Sequence, residues 1–98
     1  VPSDYIITAV AEVYYKAGDN ETADNLLQEL GQKTLRNLEW YFALDSNKKA
    51  AARMQIQENM GILQNITFLA RDYKRENMEE TYLPAFENYY PKYVNLNK

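Results

Sequence analysis

The sequence predicts an all-α fold: four antiparallel helices forming two hairpins, with helices two and three long. Three observations lead there. Apolar residues recur every three or four positions almost throughout, no stretch alternates apolar and polar over strand length, and cap-forming residues fall where the periodic runs stop. At 98 residues the chain makes a single helical domain, residues 1–98, with no room for a second core. It opens Val1-Pro2-Ser3-Asp4, with neither an initiator Met nor a signal peptide, as expected of a piece of a larger protein.

Segment one, roughly Ser3 to Lys16, places Ile6, Val10, Val13 and Ala17 on one stripe, widened by Ile7 and Tyr14. Ser3 or Asp4 is the expected cap, and Gly18 the expected end. Asp19 should cap segment two, Asn20 to about Leu44, whose stripe runs Ala23, Leu26, Leu27, Leu30, Leu35, Leu38, Tyr41 and Phe42. Gly31 inside that run costs about 1 kcal/mol against Ala, so it should mark a close helix crossing or a bend. Asp45-Ser46-Asn47 is the central break. Segment three, Lys48 to Arg75, has Ala51, Ile56, Met60, Leu63, Ile66, Leu69, Ala70 and Tyr73 as core candidates. Asn77 is the expected turn before segment four, which carries Met78, Tyr82, Leu83, Phe86, Tyr89, Tyr90 and Tyr93. Pro84 should kink that helix or open a shorter one capped by Thr81, Pro91 should weaken or end it, and Asn95 to Lys98 should fray.

Composition removes whole classes of chemistry. Cys and His are absent, which excludes disulfides, thiolate or imidazole metal sites and the usual nucleophile–base pairs. No cofactor is expected. Glu79 and Glu80 are adjacent and point about 100° apart on a helix, so they cannot clasp one substrate. Asp72 and Glu76 share a face, but Arg71 and Arg75 interleave with them as on a solvated surface. The expectation is therefore no enzyme. A net charge of −3 argues against a nucleic-acid backbone as partner, and no run is long and apolar enough to span a membrane. Charge is uneven: residues 1–31 hold six acids and one base, while 32–56 hold five bases and two acids. The basic middle comprises Lys33, Arg36, Lys48, Lys49 and Arg53, read chiefly as helix-end placement and secondarily as a contact for anionic lipid or an acidic partner. Two sequons, Asn20-Glu21-Thr22 and Asn65-Ile66-Thr67, lack a context that suggests glycosylation.

Nine tyrosines stand out. Tyr14, Tyr41, Tyr73, Tyr82 and Tyr89 fall on the stripes and are assigned to the core, with Trp40 anchoring the second hairpin. Tyr5, Tyr15, Tyr90 and Tyr93 fall off them and are free to line a groove or a neighbour.

Two stretches match each other. Ile7-x2-Val10-Ala11-x2-Tyr14 recurs as Ile66-x2-Leu69-Ala70-x2-Tyr73, 59 residues on. With Ala23-x3-Leu27 and Tyr82-x3-Phe86 following, the pattern resembles the tetratricopeptide repeat, most fully over Val10 to Ala23. The second copy has Asn77 and Tyr82 where that repeat usually has Gly and Ala, and the spacing departs from its usual 34 residues. The resemblance implies a non-catalytic interaction or scaffold module. Its partner would be a protein or peptide, or the missing part of its own chain, bound on the first helix of each hairpin. Tyr5, Thr8, Glu12, Tyr15 and Lys16 would then face Thr67, Arg71, Lys74 and Arg75 across a mixed-charge groove for a polar or acidic extended segment. Ala11 to Asp19, the long second helix and Tyr89-Tyr90 are also similar to the C-terminal soluble domain of a Bacteroidetes polytopic membrane family related to protein O-mannosyltransferases. That similarity implies an accessory, extracytoplasmic (periplasmic) domain contacting glycan or lipid-linked sugar.

Overall fold

The computed structural model describes residues 4–97. Five helices follow one another: α1 (Asp4–Lys16), α2 (Asn20–Phe42), α3 (Ser46–Ala51), α4 (Arg53–Asp72) and α5 (Glu76–Val94), closed by a 3₁₀ turn at Asn95–Asn97. No strand occurs among the described residues. α1 lies back along α2, with Asp4 beside Lys33 near one end and Tyr15 beside Asp24 near the other. α4 packs on α5 and on α2, and α1 also touches α4.

Caps account for two of the helix starts. Asp19 accepts from the Thr22 amide at 3.1 Å at the start of α2, and Asp45 accepts from the Lys48 amide at 3.0 Å at the start of α3. The Ser3 cap lies outside the described residues, and Asp4 is itself the first residue of α1. Both short turns close alike. The Asp19 amide reaches the Tyr14 carbonyl at 2.9 Å, and the Arg75 amide reaches Ala70 at 2.7 Å. The left-handed residue is Gly18 (φ 85°) in the first turn and Lys74 (φ 55°) in the second. The turn expected at Asn77 therefore comes three residues earlier. Asn77 belongs to the first turn of α5, and Thr81, expected as a cap, donates its hydroxyl to the Asn77 carbonyl inside that helix.

The long third helix is two helices. Ala52, with φ −93° and ψ 11°, ends α3 and precedes α4. α3 buries no side chain, Ala51 included, whereas α4 is buried from Ile56 onward against α2 and α5. The bend thus sits at the boundary between a solvated turn of helix and a core-facing one. α5 behaves in the opposite way. It runs from Glu76 to Val94 through both Pro84 and Pro91, so Pro84 opens no new helix and Pro91 does not end it. Between the prolines, Tyr89 stacks on Phe42 of α2 with ring centroids 5.4 Å apart, and beyond them Tyr93 and Leu96 pack on the core. Those contacts hold the last turns where an isolated helix would break.

The core is Ala11, Tyr15, Ala23, Leu27, Leu30, Leu38, Ile56, Met60, Ile62, Leu63, Ile66, Leu69, Ala70, Met78 and Tyr82. The stripes of α2 and α4 supply most of it as expected. That of α1 does not. Thr8, Ala11 and Tyr15 face inward, while Ile6 is 52%, Val10 41% and Val13 65% exposed, with Tyr14 and Ala17 also on the surface. Trp40, expected as an anchor, is likewise exposed.

The interior polar groups are satisfied locally. Thr8 donates to the Tyr5 carbonyl at 2.7 Å, Thr34 to Leu30 at 2.8 Å, and Asn59 joins Asn37 across α2 and α4 at 3.1 Å. At Gly31 the Tyr82 side chain lies directly against the backbone of α2, and an added Cβ would collide with its ring. Tyr82 is fully buried, and its hydroxyl donates to Gln28 Oε1 at 2.8 Å and accepts from Gln32 Nε2 at 3.2 Å.

Two substitutions test this packing. Gly31→Ala gains about 1 kcal/mol of helix propensity, but displacing a ring hydrogen-bonded at its far end costs about 1–3 kcal/mol. The expected net is a loss, and Tyr82→Leu in the same chain should reduce it; denaturant unfolding of the four-member cycle measures the coupling. Lys74→Gly should raise stability by about 0.5–1 kcal/mol, because a left-handed residue with a side chain is strained, as the same unfolding experiment will show.

Candidate functional site

Where the two short turns meet, five side chains interlock. From α2, Asp24 accepts from the Tyr15 hydroxyl at 2.7 Å and from Arg75 Nε at 3.0 Å and Nη2 at 2.6 Å. Tyr15 stacks on Tyr73 with ring centroids 4.8 Å apart and planes 15° apart. The Tyr73 hydroxyl donates to Glu12 at 3.0 Å. Two charge-assisted bonds from Arg75 hold the Asp24 carboxyl below its ordinary pKa of 3.8, against a smaller opposing effect of burial. Burial, then the neighbouring Asp24 carboxylate, push the Tyr15 phenol well above its ordinary pKa. A polar hollow of about 330 Å³ opens beside this junction between Asp24, Gln28, Lys74, Arg75 and Met78. Its strongest groups, Asp24 and Arg75, already bind each other.

The residues expected to line a groove therefore separate into two sets. Tyr15 is buried, Thr67 is buried with its hydroxyl donated to Gln64 O at 2.7 Å, and Arg75 is bound to Asp24. Arg71 lies on the surface against Glu79 at 3.1 Å, Lys74 occupies the turn, and Lys16 is exposed at the end of α1. Tyr5, Thr8 and Glu12 do meet α4. With Ala9 they form one wall of a groove of about 360 Å³, and Asn65, Phe68 and Leu69 form the other.

α1 and α4 run in the same direction here, since Tyr5 reaches Glu58 O at 3.3 Å and Glu12 reaches Tyr73. An added Cβ at Gly61 would collide with the Tyr5 hydroxyl, so the glycine lets the phenol lie across α4. The groove is more apolar than the mixed-charge surface expected. Glu12 is its one charged lining residue, and Phe68 stands 51% exposed. The sequence carried a signal for Phe68: a large aromatic between polar Gln64, Arg71 and Asp72, off the buried stripe of α4.

Among the described residues no three His, Cys, Asp or Glu side chains gather to hold a metal ion, and no helix is long and apolar enough to cross a membrane. Compared with protein-family models, curated proteins and solved structures, the chain finds no match.

The Asp24–Arg75 pair makes a pH prediction. Asp24 titrates lower in the folded chain than in the unfolded one, so its stabilisation is complete above the unfolded pKa. It is lost as pH falls through the depressed folded value. Asp24→Asn should cost about 1–3 kcal/mol at pH 7 and flatten the acid limb of a stability–pH curve below about pH 4, measured by urea unfolding.

Proposed function

We propose that this chain is a non-catalytic interaction module, built as two helical hairpins of the tetratricopeptide kind, that takes a partner segment in the groove between α1 and α4. The observation that carries this reading is the groove lining. Ala9, Leu69 and the half-exposed Phe68 present apolar surface, Tyr5 adds an amphipathic edge, and Glu12 gives a single carboxylate. A short segment with one or two apolar side chains and a nearby Lys or Arg suits that lining better than an acidic segment. The basic residues Arg71, Lys74 and Arg75 lie outside it. The groove is short, so affinity should be modest unless a neighbouring module extends it.

Phe68 is the expected hot spot, being aromatic and central. Peptides selected by display against the full chain should shift amide resonances of α1 and α4, and Phe68→Ala should weaken them at least about tenfold. Selected ligands that bind Phe68→Ala as tightly as the parent chain would overturn the assignment, as would resonance shifts confined to α2 and α5.

A further inference from the structure

Tyr5 also lines a second hollow, of about 240 Å³, whose other residues take no part in the partner groove. α4 contributes the buried Met60 and, beside it, Gly61, where the absent side chain leaves room for the Tyr5 hydroxyl. That hydroxyl donates to Glu58 O at 3.3 Å, which fixes the ring in place. α5 contributes Phe86, Tyr90 and Tyr93, four and three residues apart and so on one face of the helix. The Phe86 and Tyr90 rings lie 5.5 Å apart and tilted by 35°. Four aromatic rings from two helices therefore border one small space. Gln57 and Gln64 complete it, seven residues and so about 10 Å apart along α4.

The polar groups of this lining set the chemistry of what fits. None of them is charged: Glu58 meets Tyr5 through its backbone carbonyl, and Lys92 lies over the Tyr89 ring, 5.4 Å from its centroid. The side-chain amides of Gln57 and Gln64 and the hydroxyls of Tyr90 and Tyr93 have no hydrogen-bond partner among the described residues. Each of these groups both donates and accepts. We infer that the hollow binds one ring of a neutral saccharide, with aromatic faces against its C–H surface and the amides and phenols against its hydroxyls. A sugar hydroxyl also donates and accepts, so it answers every polar group present. A proline-rich segment brings carbonyl acceptors and few donors, and would leave both glutamine oxygens unanswered. A quaternary ammonium brings no hydrogen-bonding group, and the lining offers it no carboxylate. The volume lies below the roughly 300–1,000 Å³ that encloses a drug-sized ligand, and suits a single ring. So few contacts make the binding weak.

Amide-resonance titration of the intact chain with methyl glycosides of neutral hexoses and N-acetylhexosamines tests this. Hexuronate, choline and a proline-rich peptide serve as the competing probes. At least one neutral glycoside should shift residues of 57–64 and 86–93 saturably, with a dissociation constant on the order of 0.1–10 mM. The competing probes should bind there at least about tenfold more weakly. Tyr90 is 49% exposed, so Tyr90→Ala should leave the thermal melt unchanged and weaken the glycoside at least about tenfold. Gln64→Ala, at a second exposed position, should weaken it several-fold. Trp40→Ala, an exposed aromatic outside the hollow, should leave it unchanged. No saturation by any neutral glycoside at about 50 mM overturns the inference, as does tighter binding of a competing probe at these residues. Glycoside binding that survives both Tyr90→Ala and Gln64→Ala also overturns it. None of these variants alters Tyr5 or Phe68, so failure here is distinct from failure of the partner groove.

Discussion

The fold hangs on Asp24. This one carboxylate on α2 takes the phenol of α1 and the guanidinium that leads into α5, so three elements share a fixed point a few ångströms across. Apolar burial is roughly proportional to area and indifferent to direction, and alone it would let the pair α4–α5 slide along α1–α2. Bidentate Arg–carboxylate geometry is directional, and at partial burial it is screened less than a surface pair. The Tyr15–Tyr73 stack and the Tyr73–Glu12 bond repeat the constraint one turn away. Together they set which faces of α1 and α4 confront each other, and hence that a groove exists between them.

The middle of α2 is fixed by shape instead. Gly31 admits the Tyr82 ring against the backbone of α2, and Gln28 and Gln32 hold its hydroxyl. With Phe42 stacked on Tyr89 farther along, α5 is gripped on both sides of Pro84. This explains how a helix containing two prolines remains continuous. Each proline removes a backbone donor, but the neighbouring turns are immobilised by aromatic contacts that an isolated peptide lacks.

Periodicity made α2 and most of α4 legible, because their apolar residues lie on one face and that face has neighbours. In α1 apolar residues occupy both faces, and periodicity cannot say which face is covered. Thr8 and Tyr15 went inside because each hydroxyl has a partner at hand, the Tyr5 carbonyl for one and Asp24 for the other. The break at Ala52 was equally hidden: Ala51 and Ala52 are among the best helix formers, and tertiary packing of α4 overrode them. Of the groove, Tyr5, Thr8 and Glu12 were readable from the stretch of α1 opposite its apolar stripe. Phe68 stood out only as an aromatic off the buried stripe of α4, and neither its place in the groove nor that of Ala9 and Asn65 could be read, since these depend on α4 lying alongside α1 in the same direction.

The short helix α3 has a consequence for how the molecule can be divided. It contributes no buried side chain, and it is the bridge between the first two helices and the last two. Its worth to the fold is covalent continuity: it keeps the halves at high effective concentration, and the entropy of that closure varies only slowly with the length of the bridge. A chain cut within residues 46–51 would keep every residue of the core, the Asp24 junction and the Tyr82 crossing. The two pieces would be complementary fragments whose reassembly depends on their concentration, and the same stretch is where an inserted domain would disturb the packing least.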